Sequence, residues 1–72
     1  MKTDELVKMA NQIAAYFQAY PEDEAVEGVA EHIRQFWDPR MRDGLRAHLG
    51  AGGEGLDPLA RRGAERALGV AA

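Results

Sequence analysis

Acid–base chemistry most often uses a histidine held against a partner, and the chain contains two histidines, His32 and His48. Twelve carboxylates accompany them, yet neither histidine falls into a His-x-x-x-His or Glu-x-x-His spacing that would put two ligands on one helix face. A metal site would need a third or fourth ligand converging from elsewhere, so partly buried histidines on helix surfaces are the better expectation. Nucleophilic catalysis has still less to work with: there is no Ser, no Cys and a single Thr, at position 3. The run Gly50-Ala-Gly-Gly-Glu-Gly55 is glycine-rich, but Leu56-Asp57 follows where a phosphate loop needs Lys-Ser/Thr, and no strand precedes it. It reads as a flexible helix connector. No catalytic, cofactor-binding or metal-ligating residue is therefore expected.

Binding chemistry is better represented. The block Gly28-Val-Ala-Glu-His-Ile-Arg-Gln-Phe-Trp-Asp-Pro-Arg-Met-Arg42 holds the only Trp, one of two Phe, one of two His and three of nine basic residues. Trp and Arg are over-represented among the residues that carry binding energy at protein interfaces. The candidate partner interface is accordingly Gly28, His32, Arg34, Phe36, Trp37 and Arg40, continued by Arg42 and Arg46, which lie four apart on one helical face. A solvated face is the competing account of the arginines. Of the two adjacent aromatics, one is expected to pack inward and the other, with Arg40, to face outward; if both were core, truncating either would unfold the chain.

The elements that position these residues are helices. Thr3 is a capping residue with Asp4 and Glu5 behind it, where negative charge meets the positive end of the helix dipole. Leu6, Met9, Ala10, Ile13, Phe17 and Tyr20 then recur at three- and four-residue steps, and Pro21 closes the segment, which predicts a helix near 4–19. Glu22, Asp23 and Glu24 open a second helix near 22–37. Its main stripe is Val26, Val29, Ala30, Ile33 and Trp37, with Ala25, Gly28, His32 and Phe36 beside it. So wide an apolar arc needs neighbours on two sides, and the chain has little material to supply both.

Asp38-Pro39 stops the second helix and starts a third near 39–49, with Asp38 as cap and Pro39 in the first turn. Met41, Leu45, His48 and Leu49 form its narrow stripe, and Gly50 is the expected C-cap. Asp57-Pro58 repeats the start signal for a helix near 58–68, whose apolar set is Leu56, Leu59, Ala60, Ala64, Ala67 and Leu68. Residues 69–72 are expected to fray. The fold expected is all-α, a small bundle of about four short helices. Gly28, Gly44 and Gly63 interrupt three of them at about 1 kcal/mol each relative to Ala, a loss that close packing could recover.

Composition bounds the rest. Seventy-two residues make one domain at most, and 13 of its 33 hydrophobic residues are Ala. Leu, Ile, Val and Phe together number only 14, which predicts a marginal domain that a partner would stabilise. Residues 1–33 carry seven acids against two bases, whereas residues 34–72 carry five acids against seven bases, all arginine. That excess is too small for a typical nucleic-acid binder. No apolar run is long enough to cross a membrane, and the acidic start lacks the apolar stretch of a signal peptide. Without cysteines, the chain suits a reducing compartment, and a cytoplasmic location is expected.

With these residues assembled, the chain resembles the delta subunit of cytoplasmic, molybdenum-containing NAD-dependent formate dehydrogenases. The stretches that carry the resemblance are Met9-Ala-Asn-Gln-Ile-Ala-Ala-Tyr-Phe17, the block from Gly28 to Arg42, and Gly52-Gly-Glu-Gly-Leu-Asp-Pro-Leu59. Residues 18–27 and 60–72 carry little of it. The resemblance implies a small, cofactor-free subunit of a multi-subunit enzyme that also contains alpha, beta and gamma chains. In such enzymes the large alpha subunit oxidises formate at a molybdenum-pterin (bis-MGD) centre. Iron–sulfur clusters then pass electrons to an FMN module that reduces NAD. The delta chain is associated with assembly and stability of the complex. Two other readings remain open: a transient maturation factor for the apo catalytic subunit, and a small helical nucleic-acid binder using Arg34, Arg40, Arg42 and Arg46.

Overall fold

A computed structural model describes residues 2–70. It contains four helices, α1 (Thr3–Phe17), α2 (Glu22–Phe36), α3 (Pro39–Gly50) and α4 (Pro58–Leu68), and no strand among the described residues. The fold is all-α.

The helix starts follow local chemistry. Lys2, rather than Thr3, is the N-cap of α1, and its backbone N–H donates to Glu5 Oε1 at 3.1 Å. Thr3 is already helical because the carboxylate of Glu5 serves the end of the helix in its place. The helix also stops at Phe17 instead of running to 19, so Tyr20 lies in the turn and is 49% exposed rather than part of the stripe. At the start of α3, Asp38 accepts a hydrogen bond from Met41 N–H at 2.9 Å and Pro39 occupies the first turn. Asp57 precedes α4 without making the equivalent bond; its backbone N–H instead donates to Asn11 Oδ1 at 2.9 Å. Gly50 closes α3 from inside the helix, and Ala51 is the C-cap. Gly69 adopts φ 69°, the left-handed conformation a glycine takes without penalty, and the N–H groups of Gly69 and Val70 both reach Glu65 O. Ala71 and Ala72, the rest of the tail expected to fray, lie outside the described residues.

α2 packs against both α1 and α4, and its seam with α4 is the most extensive in the bundle. The two neighbours that its wide apolar arc requires are both present. They fit because the contact positions are small. A Cβ on Gly63 of α4 would stand 2.5 Å from Val29 Cβ, and a Cβ on Gly28 would stand 2.5 Å from the Phe17 ring. Gly44 of α3 meets Leu6 in the same way, at 2.7 Å. All three intrahelical glycines thus sit where helices touch. The core gathers Leu6, Ala10 and Ala14 of α1, Val29, Ile33 and Trp37 from α2 and its cap, Leu45 and Leu49 of α3, and Ala60, Ala64 and Leu68 of α4. Its largest fully buried side chains are only Ile33, Leu45 and Val29.

The connector 51–57 is tied down rather than loose. Asn11 Nδ2 donates to Gly55 O at 3.0 Å, His48 Nε2 donates to Glu54 O at 2.7 Å, and Arg61 donates to Gly52 O. Gly53, buried at φ 66°, donates its N–H to His48 O at 2.8 Å. Left-handed glycines let the backbone fold close enough to be held by side chains from three helices.

Candidate functional site

Two adjacent aromatics divide inside from outside. Trp37 is 4% exposed and completes the stripe Val26–Val29–Ala30–Ile33, so it belongs to the core of this chain. Phe36 is 69% exposed. Its ring stacks on His32 one turn back, with centroids 4.8 Å apart and planes at 40°. Trp37, expected at the interface, is thus the aromatic that packs inward, and Phe36 the one that faces out. Gly28 is likewise accounted for internally, by its contact with Phe17.

Two clefts are lined by residues close to Phe36 in sequence, His32 in one and Asp38 in the other. One, of about 310 Å³, opens between α1 and α2 and is lined by Ile13, Tyr16, Phe17 and His32. The other, of about 210 Å³, lies between α1 and the start of α3 and is lined by Leu6, Asp38, Arg40 and Met41. Tyr16 is 71% exposed and meets the Phe17 ring edge-on at 4.9 Å, and Tyr20 leans on the far side of Phe17 at 5.6 Å. Tyr16 and Tyr20 were not among the residues expected at a surface site. Periodicity did not single out Tyr16: it follows Met9 of the apolar stripe by seven residues, which puts it at the edge of the face expected to be buried.

The arginines separate into paired and unpaired. Arg34 contacts Glu27 at 3.0 Å and Glu31 at 3.6 Å, Arg66 reaches the other Glu27 oxygen at 3.4 Å, and Arg34 also donates to Arg66 O. This network bridges α2 and α4, and its hydrogen bond from Arg34, reinforced by the charges of both arginines, holds the Glu27 carboxyl below its ordinary pKa. Arg46 pairs with Asp43, Arg61 with Glu65 and Arg62 with Glu22. Arg40 and Arg42 have no carboxylate partner among the described residues. Arg34 and Arg46, both expected at the interface, are exposed but paired within the chain, while Phe36 and Arg40 are exposed and His32 and Arg42 half-buried.

His32 and His48 do not converge, since one stacks on Phe36 and the other is bonded to the connector. Among the described residues no group of three or more His, Cys, Asp or Glu is placed to hold a metal ion. What the surface offers is aromatic area with a free guanidinium beside it.

The model of the family described as NADH-dependant formate dehydrogenase delta subunit FdsD matches residues 5–64. This chain belongs to that family. The match runs from the first turn of α1 into α4, so it takes in both clefts and the connector. Comparison with curated proteins and with solved structures gives no match. As a delta subunit family member, the chain is a component of a formate dehydrogenase complex, and no helix among its described residues is long and apolar enough to cross a membrane.

Proposed function

We propose that this chain is a non-catalytic accessory subunit that supports assembly and stability of an NAD-dependent formate dehydrogenase (formate + NAD+ to CO2 + NADH). It docks mainly on the large, molybdenum-carrying alpha subunit of a cytoplasmic complex that also holds beta and gamma subunits. The observation that carries this reading is the outward placement of Phe36, Tyr16 and Tyr20, three of the five aromatics of a chain short of large core residues. A small domain gains more stability by burying such rings than by exposing them, so their exposure supports a surface kept for a partner.

The molybdenum-pterin, iron–sulfur, FMN and NAD groups belong, on this reading, to the partner chains. Without cysteine this chain has no thiolate for an iron–sulfur cluster, and its two histidines are held apart.

The test is purification of the native complex through a tag on this chain. The expected result is active enzyme with this chain and the alpha subunit in equal amounts. Retention of cofactor-free alpha subunit only, with the loaded enzyme lacking this chain, would replace the stable-subunit reading with a transient one.

A further inference from the structure

Resting on the docking reading above, we propose that the contact runs along the α1/α2–α3 seam, centred on Phe36. The occupant is an apolar segment of the catalytic subunit that carries a carboxylate for Arg40.

The position follows from continuity. Phe36 stacks on His32, which lines the first cleft, and precedes by two residues Asp38, which lines the second. A partner segment that covers the exposed ring therefore extends naturally into both clefts, with Tyr16 at one end and Arg40 at the other. The walls it meets are mostly apolar: Ile13, Tyr16 and Phe17 on α1, Met41 on α3. An apolar ridge fills such a surface and a charged one does not.

The charge follows from what is left unpaired. Five of seven arginines already face a carboxylate, and Arg40, which lines the second cleft, has none among the described residues. The carboxylate nearest in sequence, Asp38, is engaged as the cap of α3 through Met41 N–H. A partner that buries Phe36 also removes water from Arg40 across the Asp38–Pro39 corner. Desolvating a guanidinium without an opposing charge is strongly unfavourable, so the covering segment must bring its own acid. Arg42, two residues on, falls on another face of α3 and takes no part in this contact.

The test uses the full chain, tagged and co-expressed with the catalytic subunit, in wild-type form and as Phe36→Ala, Arg40→Glu, Arg40→Lys and the control Lys8→Glu. Lys8 is exposed on α1 and lines neither cleft. Circular dichroism of each variant alone checks folding, and hydrogen exchange of wild type, free and in complex, maps the covered surface. Phe36→Ala and Arg40→Glu are expected to keep their helicity and to weaken association about thirtyfold or more, with Arg40→Lys partly restored and Lys8→Glu unaffected. Exchange protection is expected around residues 13–17 and 32–42. Wild-type retention with protection confined to α4 or the connector would overturn this placement and leave the docking reading intact. Failure of the wild-type chain to be retained at all would overturn the docking reading itself. Self-association of the free chain that Phe36→Ala abolishes, with retention of the catalytic subunit unchanged, would assign the seam to a second copy and reject the proposal.

Discussion

Gly63 of α4 lies so close to Val29 of α2 that a single added methyl has nowhere to go: its Cβ would stand 2.5 Å from Val29 Cβ, an atom fixed by the α2 backbone. Gly63→Ala is therefore expected to destabilise the chain by about 1–3 kcal/mol through overpacking, despite a gain of about 1 kcal/mol in helix propensity. Gly50, the last residue of α3, has no neighbour within 4 Å of its notional Cβ, and its φ is not positive. Gly50→Ala should stabilise by up to about 1 kcal/mol. Urea unfolding of the two variants checks the pair, and a stabilising Gly63→Ala would show that the α2–α4 seam has room for a methyl group.

Asn11 reaches from the middle of α1 to hold both ends of a turn, accepting from Asp57 N–H and donating to Gly55 O. Asn11→Ala removes both bonds at about 1 kcal/mol each and frees the entry to α4. Faster hydrogen exchange at the Asp57 amide, with α2 unaffected, is the expected signature. Unchanged exchange there would mean the connector is held mainly by His48 and Arg61.

The helices were legible in the sequence because period and punctuation agreed. Leu6–Ala10–Ile13–Phe17 repeats at helical steps, and Asp38–Pro39 marks a stop and a start at once. The ordered connector was not legible, because Asn11 and Gly55 are 44 residues apart and nothing local in either announces the other. The exposure of Phe36 was only half legible: its stripe through Ala25, Gly28 and His32 is apolar, but which stripe meets a neighbour depends on where α1 and α3 lie. Likewise, arginine count alone could not say that Arg34 and Arg66 would share Glu27 while Arg40 stayed free.

Glu27 sets an acid dependence. Its folded-state pKa is lowered by the hydrogen bond from Arg34, so its contribution is fully present above the ordinary value of 4.5 and is lost as pH falls through the lower folded value. Melting temperature should therefore drop on acidification through that window, and the drop should shrink in Glu27→Gln. The effect should be modest and weakened by salt, because the pair is solvent-exposed. An identical pH profile in Glu27→Gln would remove the network from the account of the α2–α4 seam.

On the accessory-subunit reading, neither histidine takes part in turnover. His32 packs on an aromatic ring and His48 spends a ring N–H on a backbone carbonyl. In an assembled, cofactor-loaded complex, His32→Ala and His48→Ala should each leave the rate of formate oxidation at its wild-type level. Lost turnover with assembly and cofactor content intact would overturn the non-catalytic assignment.

The sharpest contrast available is between neighbours. Trp37 is 4% exposed in a core whose largest fully buried members are Ile33, Leu45 and Val29. Trp37→Ala should cost about 3–5 kcal/mol. A chain of this size has about 4–11 kcal/mol of stability in total, at roughly 0.05–0.15 kcal/mol per residue, so the variant alone should lose most of its cooperative melting. Phe36, with two-thirds of its surface in water, should tolerate Ala within about 0.5 kcal/mol. Thermal melts followed by circular dichroism on the isolated chain read both. Equal destabilisation by the two substitutions would mean that Phe36 also packs internally, and the exposed ring on which the docking face is built would be lost with it.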